Sequence, residues 1–515
     1  MKKRFLTVFC PLLTLLLILS GCGKDIENQS PLTEITESQD TNSSAVSDIS
    51  IDTMDMDFTD NDRNTSEDNS KTPKVNKGII TITDGGTYTV TGNITQIRVN
   101  AKDTDKPRII LKNAQISCND GPAIYIEQAD KVFITLPEGS ESSITDGETY
   151  SDEYENADGA IFSKADLTLN GGGKLTVNGM YKCAIVSKDD LVICDTQIKA
   201  SSKGSCIEGK DCLKLSGAEL HITAGADGIK STNTEDASRG FIYIESGNYN
   251  ITAENDGIQA ETALIIADGE FSIKTGGGSA VSSTKENSGW GNWGNRGNWG
   301  GPMEDFSSEN SIDTPSAKAI KSRHLIKISG GSFKIDSSDD SIHSNSDIEI
   351  GGGSFELSSG DDGIHADDQL IINNGTVNLL KSYEGLEATV ITLNGGNIDI
   401  TASDDGLNAA GGNDSSAMGG RPGQNPFESD SDAKIEINGG YILINASGDG
   451  VDSNGDININ DGILLVSGPT NSGNGALDTG GDAYIKGGTA IFTGSSGMAE
   501  VFSENSAQPS LGYTL

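Results

Sequence analysis

The sequence predicts an all-β fold, a right-handed parallel β-helix, and three observations support this prediction. Segments of about 22 residues repeat through the C-terminal half, for example at 329–344, 351–366 and 394–409. Each repeat holds short stretches in which apolar and polar residues alternate, separated by Gly, Asn and Asp, and none shows a helical period. Strands this short cannot each bury a face alone, but they can when coil stacks on coil. The repeats predict about fourteen coils with three strands in each.

The composition agrees with such a core and excludes one class of partner. The chain of 515 residues has 65 glycines, 76 acidic residues and 36 basic residues, and its net charge is −40. Nucleic acid is excluded, because binding phosphates needs clustered Lys and Arg. Hydrophobic residues make up 34% and aromatic residues 5%, so the core must consist of small and β-branched side chains. Length alone suggests about three domains, but a repeat overrides that expectation.

The N-terminus predicts export and lipid anchoring. A basic start at Lys2, Lys3 and Arg4 leads into an apolar stretch over residues 5–19, which is too short to span a membrane comfortably. The ending Leu19-Ser20-Gly21-Cys22 is typical of a lipoprotein signal peptide over residues 1–21, with acylation at Cys22. At least two acyl chains would give stable anchoring at the cell surface. The alternative is a plain signal peptide with a chance cysteine.

Residues 22–78 are rich in Ser, Thr, Asn and Asp, which predicts a disordered acidic tether. Met54, Met56 and Phe58 interrupt it as isolated apolar residues. The β-helix is predicted over residues 79–508, with loop insertions at 284–316 and 411–433 where the period breaks.

Five cysteines follow the tether, at positions 118, 183, 194, 206 and 212. An odd number without CxxC spacing argues against a metal site or a full disulfide framework and favours buried thiols. A single bridge that includes Cys206 and Cys212 is the alternative.

Stacking converts the sequence period into spatial rows along one edge of the β-helix. The first row is Asp227, Asp256, Lys318, Asp340, Asp362, Glu384, Asp405 and Asp449. The position before it contains Asp339, Asp361, Tyr383 and Asp404 in four consecutive coils. The third row is Lys230, Gln259, Lys321, His343, His365, Glu387, Asn408 and Asp452.

Two interpretations of the acidic rows are open. Carboxylates stacked about 5 Å apart repel one another and have raised pKa values unless a cation lies between them, and calcium takes six to eight oxygen ligands. Alternatively, Asp-Gly is a corner dipeptide in which Asp bonds its own backbone. The corner role is favoured for Asp227, Asp256 or Asp449 alone. Calcium is favoured for the paired acids at 339/340, 361/362 and 404/405, with Glu384 and Glu387 between them.

Other side chains are candidates for ligand binding. Lys381 takes the place that Ser337, Ser359 and Ala402 hold in the flanking coils, either as the general base of a polysaccharide lyase or as a counter-ion of the acids. His343 and His365 form either a turn stack or a transition-metal pair. The tryptophans of one glycine-rich loop suit the apolar face of a pyranose, or belong to low-complexity sequence. The candidate ligand-binding set is Lys381, Tyr383, Glu387, His343, His365, Trp290, Trp293 and Trp299.

The spaced motifs resemble a bacterial family of secreted carbohydrate-binding β-helix proteins that is similar in fold to polysaccharide lyases. The resemblance rests on SGGSFKIDSSDDSIHS, SSGDDGIHADDQLII, LLKSYEGLEA, ASDDGLNAAGG, ASGDGVDSNG and VSGPTNSGNGALD, and covers most of residues 79–500. It implies binding to cellulose or acidic polysaccharide such as polygalacturonate, without lyase activity. It also implies calcium in the acidic turns, at Asp339, Asp340, Asp361, Asp362, Glu384, Asp404 and Asp405.

The sequence therefore leaves three functions open: a non-catalytic polysaccharide-binding protein, a calcium-dependent lyase with Lys381 as base, and a structural adhesin or spacer. The first is preferred, as a monomer held to the membrane only through lipidated Cys22. With a charge of −40 the protein should repel polyuronates unless bound calcium bridges the two polyanions.

Overall fold

The computed structural model describes residues 50–281, 316–409 and 432–514, which belong to one compact unit, Val46–Leu515. The predicted signal peptide, Cys22, the first part of the predicted tether and the three tryptophans lie outside the described residues, as does most of both predicted loop insertions. The described chain is nearly all β. One short helix, α1 (Asp60–Arg63), and two 3-10 turns, Ile51–Thr53 and Asp152–Tyr154, are its helical elements. None of these described helices is long and apolar enough to cross a membrane.

Strands of two to ten residues follow one another along the described chain. The first group is β1 (Val75–Asn76), β2 (Ile79–Ile82), β3 (Thr87–Ile94), β4 (Gln96–Asn100), β5 (Arg108–Ser117), β6 (Ile124–Gln128), β7 (Lys131–Thr135), β8 (Glu141–Thr145), β9 (Gly159–Ser163), β10 (Asp166–Asn170), β11 (Lys174–Gly179), β12 (Cys183–Ser187), β13 (Asp190–Cys194) and β14 (Gln197–Ser202). The second group is β15 (Ile207–Gly209), β16 (Cys212–Ser216), β17 (Ala218–Ala224), β18 (Ile229–Ser231), β19 (Phe241–Ile244), β20 (Gly247–Ala253), β21 (Ile258–Ala260), β22 (Ala263–Ile266), β23 (Glu270–Thr275), β24 (Ile320–Ser322), β25 (Leu325–Ile328), β26 (Ser332–Ser337), β27 (Ile342–Ser344) and β28 (Asp347–Ile350). The third group is β29 (Ser354–Ser358), β30 (Ile364–Ile372), β31 (Thr376–Ser382), β32 (Leu386–Leu393), β33 (Asn397–Ala402), β34 (Leu407–Ala409), β35 (Lys434–Ile437), β36 (Tyr441–Ala446), β37 (Val451–Ser453), β38 (Asp456–Ile459), β39 (Ile463–Ser467), β40 (Asp478–Thr479), β41 (Ala483–Ile485) and β42 (Thr489–Thr493).

The strands form three parallel ladders, in which most strands pair with the strand three places further along the chain. Ladder A is β3-β5-β7-β10-β13-β16-β19-β22-β25-β28-β30-β32-β35-β38-β41. Ladder B is β5-β8-β11-β14-β17-β20-β23-β26-β29-β31-β33-β36-β39-β42. Ladder C is β2-β4-β6-β9-β12-β15-β18-β21-β24-β27-β30-β32-β34-β37-β40. The long strands β5, β30 and β32 each contribute to two ladders, and only the hairpin β1–β2 among the paired strands is antiparallel. This parallel pairing is consistent with a β-helix.

One apolar core runs between the three ladders. Its buried members extend from Ile80 to Ile485 and are mostly Ile, Leu, Val and Ala. In strands such as β33, exposed and buried residues alternate, which places every second side chain in the core. Four aromatic side chains of this core form a stacked column, with ring centroids 4.6–4.9 Å apart: Tyr249, Phe271, Phe333 and Phe355. The core composition predicted from the sequence is therefore confirmed.

Glycine occupies the corner between ladders A and B at the same place in successive coils. Gly353 has φ +109° and Gly375 has φ +118°, and the equivalent residues in the next coils, Gly396, Gly440 and Gly462, have φ between +94° and +98°. Side chains rarely adopt this backbone conformation, so glycine is needed at this corner.

Part of the predicted tether is ordered and packs on the sheet. Residues 50–64, here called the strap, lie against the outer face of ladder A. Met54 is 6% exposed and belongs to a cluster with Phe241, Ala263 and Ile265. The prediction of disorder through residue 78 is therefore wrong for residues 50–78. Apolar residues point outward from ladder A at these strands, and the supposedly isolated methionines cover them.

Polar contacts fix the end of the strap. The buried Asp62 carboxylate lies 2.7 Å from Lys131 Nζ and accepts a hydrogen bond from Thr168 at 2.8 Å. Arg63 follows and pairs with Glu245 at 2.8 Å. Thr59 caps α1 with a reciprocal hydrogen-bond pair to Asp62. These contacts anchor the strap across several coils.

The five described cysteines are all buried and free. This agrees with the predicted buried thiols, and Cys206 and Cys212 form no bridge with each other. Burial raises the pKa of the Cys206 thiol to about 12, so that thiol is unreactive at neutral pH.

Candidate metal site along the acidic edge

The acidic rows lie at the corner between ladders B and C, here called the acidic edge. The backbone connects successive turns: Gly257 N donates to Lys318 O at 2.9 Å, and Gly363 N donates to Glu384 O at 3.0 Å. On ladder C, His365 pairs in register with Glu387, and Glu387 with Asn408. The rows predicted from the sequence period therefore exist as spatial rows.

One oxygen of several edge carboxylates has a structural role. Asp340 Oδ1 accepts a hydrogen bond from the Asp362 amide of the next coil at 2.9 Å, and Asp362 Oδ1 accepts one from the Glu384 amide at 3.2 Å. Asp405 Oδ1 accepts the Asp449 amide at 2.5 Å. The sequence predicts that a corner Asp bonds its own backbone. Here the Asp carboxylate instead accepts a hydrogen bond from a backbone amide of the neighbouring coil. A second oxygen of each carboxylate can still face a cation.

Lysines neutralise the upstream part of the edge. Lys230 Nζ lies 2.9 Å from Asp227 Oδ2, and Lys321 Nζ lies 3.4 Å from Asp256 Oδ2. Lys318, which replaces an acid in the first row, supplies the third cation.

Lys318 joins the first pair of acids. Its Nζ is 2.6 Å from Asp340 Oδ2 and 2.9 Å from Asp339 Oδ1. Burial alone raises the pKa of Asp340, but Lys318, His343 and His365 together hold that pKa well below its usual range. Asp340 is therefore a carboxylate with cations of the protein around it.

His365 acts as a buried internal cation. It is fully buried, and its Nδ1 lies 3.5 Å from Asp362 Oδ2 and 3.6 Å from Glu387 Oε2. Burial lowers the pKa of this imidazole, but Asp362, Glu387 and Asp340 raise it to about 10. His343 Nδ1 lies 2.9 Å from Asp340 Oδ2, and the two rings meet edge to face at 4.8 Å. The stacked histidines therefore belong to a carboxylate network, and the imidazolium occupies a cation position.

The downstream part of the edge differs, because its acids lack such partners. Oxygen atoms of Asp405, Asp449 and Asp452 lie within 4.8 Å of one another. Among the described residues, no Lys, Arg or His forms an ion pair with these three carboxylates or with Asp404. Burial and the neighbouring acids raise the pKa of Asp452 to about 8, that of Asp449 to about 6, and that of Asp405 well above its usual range. We name these three residues and Asp404 the downstream acid cluster.

The backbone of Gly448 packs closely against the downstream acid cluster. A methyl group at Gly448 would collide with the Oδ1 atoms of both Asp404 and Asp405. Glycine is therefore required at this close approach of the backbone to two carboxylates. Grouped carboxylate oxygens without a protein cation fit a hard divalent ion such as calcium.

Two further buried acids, Glu384 and Glu387, lie between the upstream acids, which have protein cations beside them, and the downstream acid cluster. Asn408 Nδ2 donates to Glu384 Oε2 at 2.6 Å. Burial and neighbouring acids raise the pKa values of Glu384 and Glu387. Glu387 Oε1 and Asn408 Oδ1 are buried and have no hydrogen-bond partner. Glu384 and Glu387 therefore keep their protons at pH values at which free carboxyl groups have lost them.

Lys381 does not occupy the position predicted for it. The register shifts after Leu379, so that Ser382, not Lys381, pairs with Ala402. Lys381 is exposed, and its ammonium group donates to the backbone oxygen of Ser279. The predicted replacement of Ser337, Ser359 and Ala402 by Lys381 is therefore wrong, because a bulge places the inward position one residue later. Tyr383, by contrast, lies on the edge and hydrogen-bonds the Asp404 carboxylate.

Sequence reasoning placed most of the edge correctly and missed two features. Asp452 belongs to the downstream acid cluster, whereas the sequence period places it in the third row without a role in metal binding. Gly448 was also missed. Its signal in the sequence is that a glycine directly precedes Asp449, whereas Asp361 and Asp404 stand at the equivalent position in their coils. The insertion with the three tryptophans leaves β23 and returns to β24, at the corner of the acidic edge.

Comparisons with known proteins identify the family. A family model described as carbohydrate-binding domain-containing protein matches residues 76–363. A carbohydrate-binding domain-containing protein of Acetivibrio thermocellus is 32% identical over 223 residues, which are 42% of this chain and 78% of the relative. A solved structure of the polysaccharide lyase-like protein from C. thermocellum, a gadolinium derivative, is 32% identical and aligns with 40% of this chain and 84% of its own, at a TM-score of 0.39. The chain therefore belongs to the family of carbohydrate-binding domain-containing proteins.

Proposed function

We propose that this protein is a non-catalytic polysaccharide-binding protein of the cell surface, in which calcium joins the carboxylates of the downstream acid cluster. Its fold in this proposal is a right-handed parallel β-helix of about fourteen coils. Lipidation at Cys22 anchors it, and the protein acts as a monomer. The observation that carries the proposal is the meeting of Asp405, Asp449 and Asp452 within 4.8 Å without a protein cation among the described residues.

The contrast along the edge supports calcium at the downstream end. Upstream acids have Lys230, Lys321, Lys318 or His365 beside them, so a metal ion there would compete with a cation already present. The calcium positions implied at Asp339, Asp340, Asp361 and Asp362 are therefore not included in this proposal. Asp404, Asp405, Asp449 and Asp452 would hold the ion, and Glu384 lies in the adjoining coil.

Polysaccharide is the partner that the family membership favours. The protein carries a net charge of −40, so an acidic polysaccharide would be repelled by it at low ionic strength. Calcium held at the edge would supply positive charge that carboxylates of the glycan can share. Cellulose carries no charge and needs no such bridge.

The lyase alternative loses its base. A general base must reach the proton that it removes, whereas the exposed ammonium group of Lys381 donates to the carbonyl of Ser279, which favours binding over the lyase alternative. A spacer function is the remaining alternative, and it would show neither glycan retention nor turnover.

Retention on insoluble polygalacturonate and on cellulose, with calcium and with chelator, tests the proposal. We expect calcium-dependent retention on polygalacturonate, which the double variant Asp449→Asn with Asp452→Asn loses. A matched control, Asp268→Asn with Asp461→Asn, removes two exposed acids at the corner between ladders A and B and should bind normally. Ultraviolet absorbance should detect no unsaturated product. Absence of retention on both glycans would contradict the binding function and favour the spacer.

A further inference from the structure

An apolar strip lies on the outer face of ladder B. Tyr441, Ile463 and Ile491 are exposed by 43%, 42% and 52%, and Leu443 and Leu465 beside them are half-buried. The register places these five side chains together: Tyr441 pairs with Ile463, Leu443 with Leu465, and Leu465 with Ile491. We name these five residues the apolar strip. Exposed large apolar side chains grouped in this way indicate an interaction surface.

A ladder of asparagine amides runs along one side of the strip. Asn394 Nδ2 donates to Asn373 Oδ1 at 2.8 Å, Asn438 to Asn394 at 2.8 Å, and Asn460 to Asn438 at 2.7 Å. Each of these asparagines lies three residues before the first outward position of its strand in ladder B. Each amide has a second N–H that the ladder does not use. The row therefore offers one donor per coil at a constant spacing.

Hydroxyl and amide groups line the other side of the strip. Thr401, Asn445, Ser467 and Thr493 are exposed and pair in register on successive strands of ladder B. Of the outward positions on β33, β36, β39 and β42, only Asp399 carries a charge. In a chain of net charge −40 this face is nearly neutral. It offers no cations to attract an anionic polymer.

We infer that this face binds a neutral, extended β-linked polysaccharide, separately from the calcium-dependent binding of acidic glycan at the edge. The inference rests on the proposed function. A pyranose has apolar C–H faces and hydroxyl groups at its rim, which match an apolar strip between two polar rows. Neighbouring strands lie about 4.8 Å apart, close to the length of one sugar residue in an extended β-1,4-linked chain. A chain parallel to the stacking direction would therefore place one sugar over each coil.

Retention on insoluble cellulose in the presence of chelator tests the inference on the full chain. We expect wild-type retention without calcium, and at least tenfold weaker binding for Ile463→Asp, which places a charge in the strip. Ser272→Asp is the matched control, because Ser272 is exposed on the same face of ladder B, on β23. Tyr441→Ala, a milder change, should weaken binding without altering the thermal midpoint. Polygalacturonate retention with calcium should be normal in all three variants.

Equal loss of polygalacturonate binding by Ile463→Asp would assign the effect of that variant to folding, and Tyr441→Ala would then decide the test. Three results would overturn the inference. Wild-type cellulose retention that Ile463→Asp and Tyr441→Ala leave intact would exclude the strip. A wild-type dimer that Ile463→Asp converts to a monomer in sedimentation, with cellulose retention unchanged, would assign the strip to self-association. Retention of polygalacturonate but not of cellulose by the wild type would overturn this inference alone and leave the proposed function standing.

Discussion

At the scale of the residue, His365 shows how a buried ring can replace a metal ion. Its imidazolium is fully buried between Asp362, Glu387 and Asp340. We expect His365→Gln to lower the free energy of unfolding by about 3–5 kcal/mol, because buried carboxylates lose their cation. The control is His221→Gln, since His221 is exposed and should cost no more than about 0.5 kcal/mol. Denaturant unfolding at pH 7 measures both, and equal effects would exclude the internal-cation role.

The lowered pKa of Asp62 predicts how the stability of the strap depends on pH at acidic pH. Burial raises the pKa of this carboxyl, but Lys131, Thr59 and Thr168 lower it to about 2. Because the folded pKa lies below the unfolded value of about 3.9, the stabilisation is present above pH 4 and is lost as pH falls toward 2. The loss should amount to about 2 kcal/mol.

Hydrogen exchange of the strap amides between pH 7 and pH 2.5 measures this loss. The variant Asp62→Asn should show weak protection at every pH, and Asp60→Asn, which changes an exposed acid of the same helix, should follow the wild type. Protection in the wild type that does not depend on pH would show that the ion pair does not hold the strap.

At the scale of the element, the aromatic column connects four coils of ladder B. Phe333 is 2% exposed and stacks on Phe271 and Phe355 with centroids 4.6 Å away on both sides. We expect Phe333→Ala to cost about 3–5 kcal/mol, since it removes a buried ring and leaves a cavity. Phe333→Leu should cost much less. Thermal unfolding of the two variants tests this order, and equal midpoints would mean that the column collapses without penalty.

The bulge in β31 gives a second prediction at this scale. Lys381 should not act as a base, because it is exposed and its ammonium group is held by the Ser279 carbonyl. Lys381→Met should therefore leave polygalacturonate retention unchanged. Proteolysis near residue 281 should become faster in this variant, since the lysine fastens the start of the insertion. A change in calcium-dependent retention, with proteolysis unaffected, would return Lys381 to the binding site.

The elements also explain what sequence could predict. The acidic rows followed from the period, because backbone hydrogen bonds between coils keep equivalent residues stacked. The predicted position of Lys381 is wrong because one extra residue in β31 shifts the register, while the sequence motifs on either side stay the same. The apolar strip was missed, although Ile463-Leu464-Leu465-Val466 breaks the alternation of apolar and polar residues. The strap was missed since it has no period, and only the contacts of Met54 show its role.

At the scale of the whole molecule, charge is distributed unevenly along the stack of coils. Lysines and a histidine balance the upstream acids, whereas the downstream acid cluster has no such partner among the described residues. Binding to the native state alone must stabilise it, by about 2.7 kcal/mol when calcium is at about 100 times its dissociation constant. Chelation should therefore lower the thermal midpoint of the wild type but not that of Asp449→Asn with Asp452→Asn. An unchanged wild-type midpoint would contradict calcium at this edge.

The pH dependence of the calcium-free protein follows from the same cluster. Burial and neighbouring acids raise the pKa of Asp452 to about 8 and that of Asp449 to about 6, above the unfolded value of about 3.9. Between pH 4 and pH 8 the folded state therefore holds more protons than the unfolded state, and stability must fall as pH rises. Calcium competes with the protons of this cluster, so it should reduce the slope, and the part of the slope that comes from Glu384, Glu387 and His365 should remain. Thermal midpoints measured from pH 4.5 to pH 8.5, with calcium and with chelator, test this, and parallel curves would show that the ion and the protons do not share the cluster.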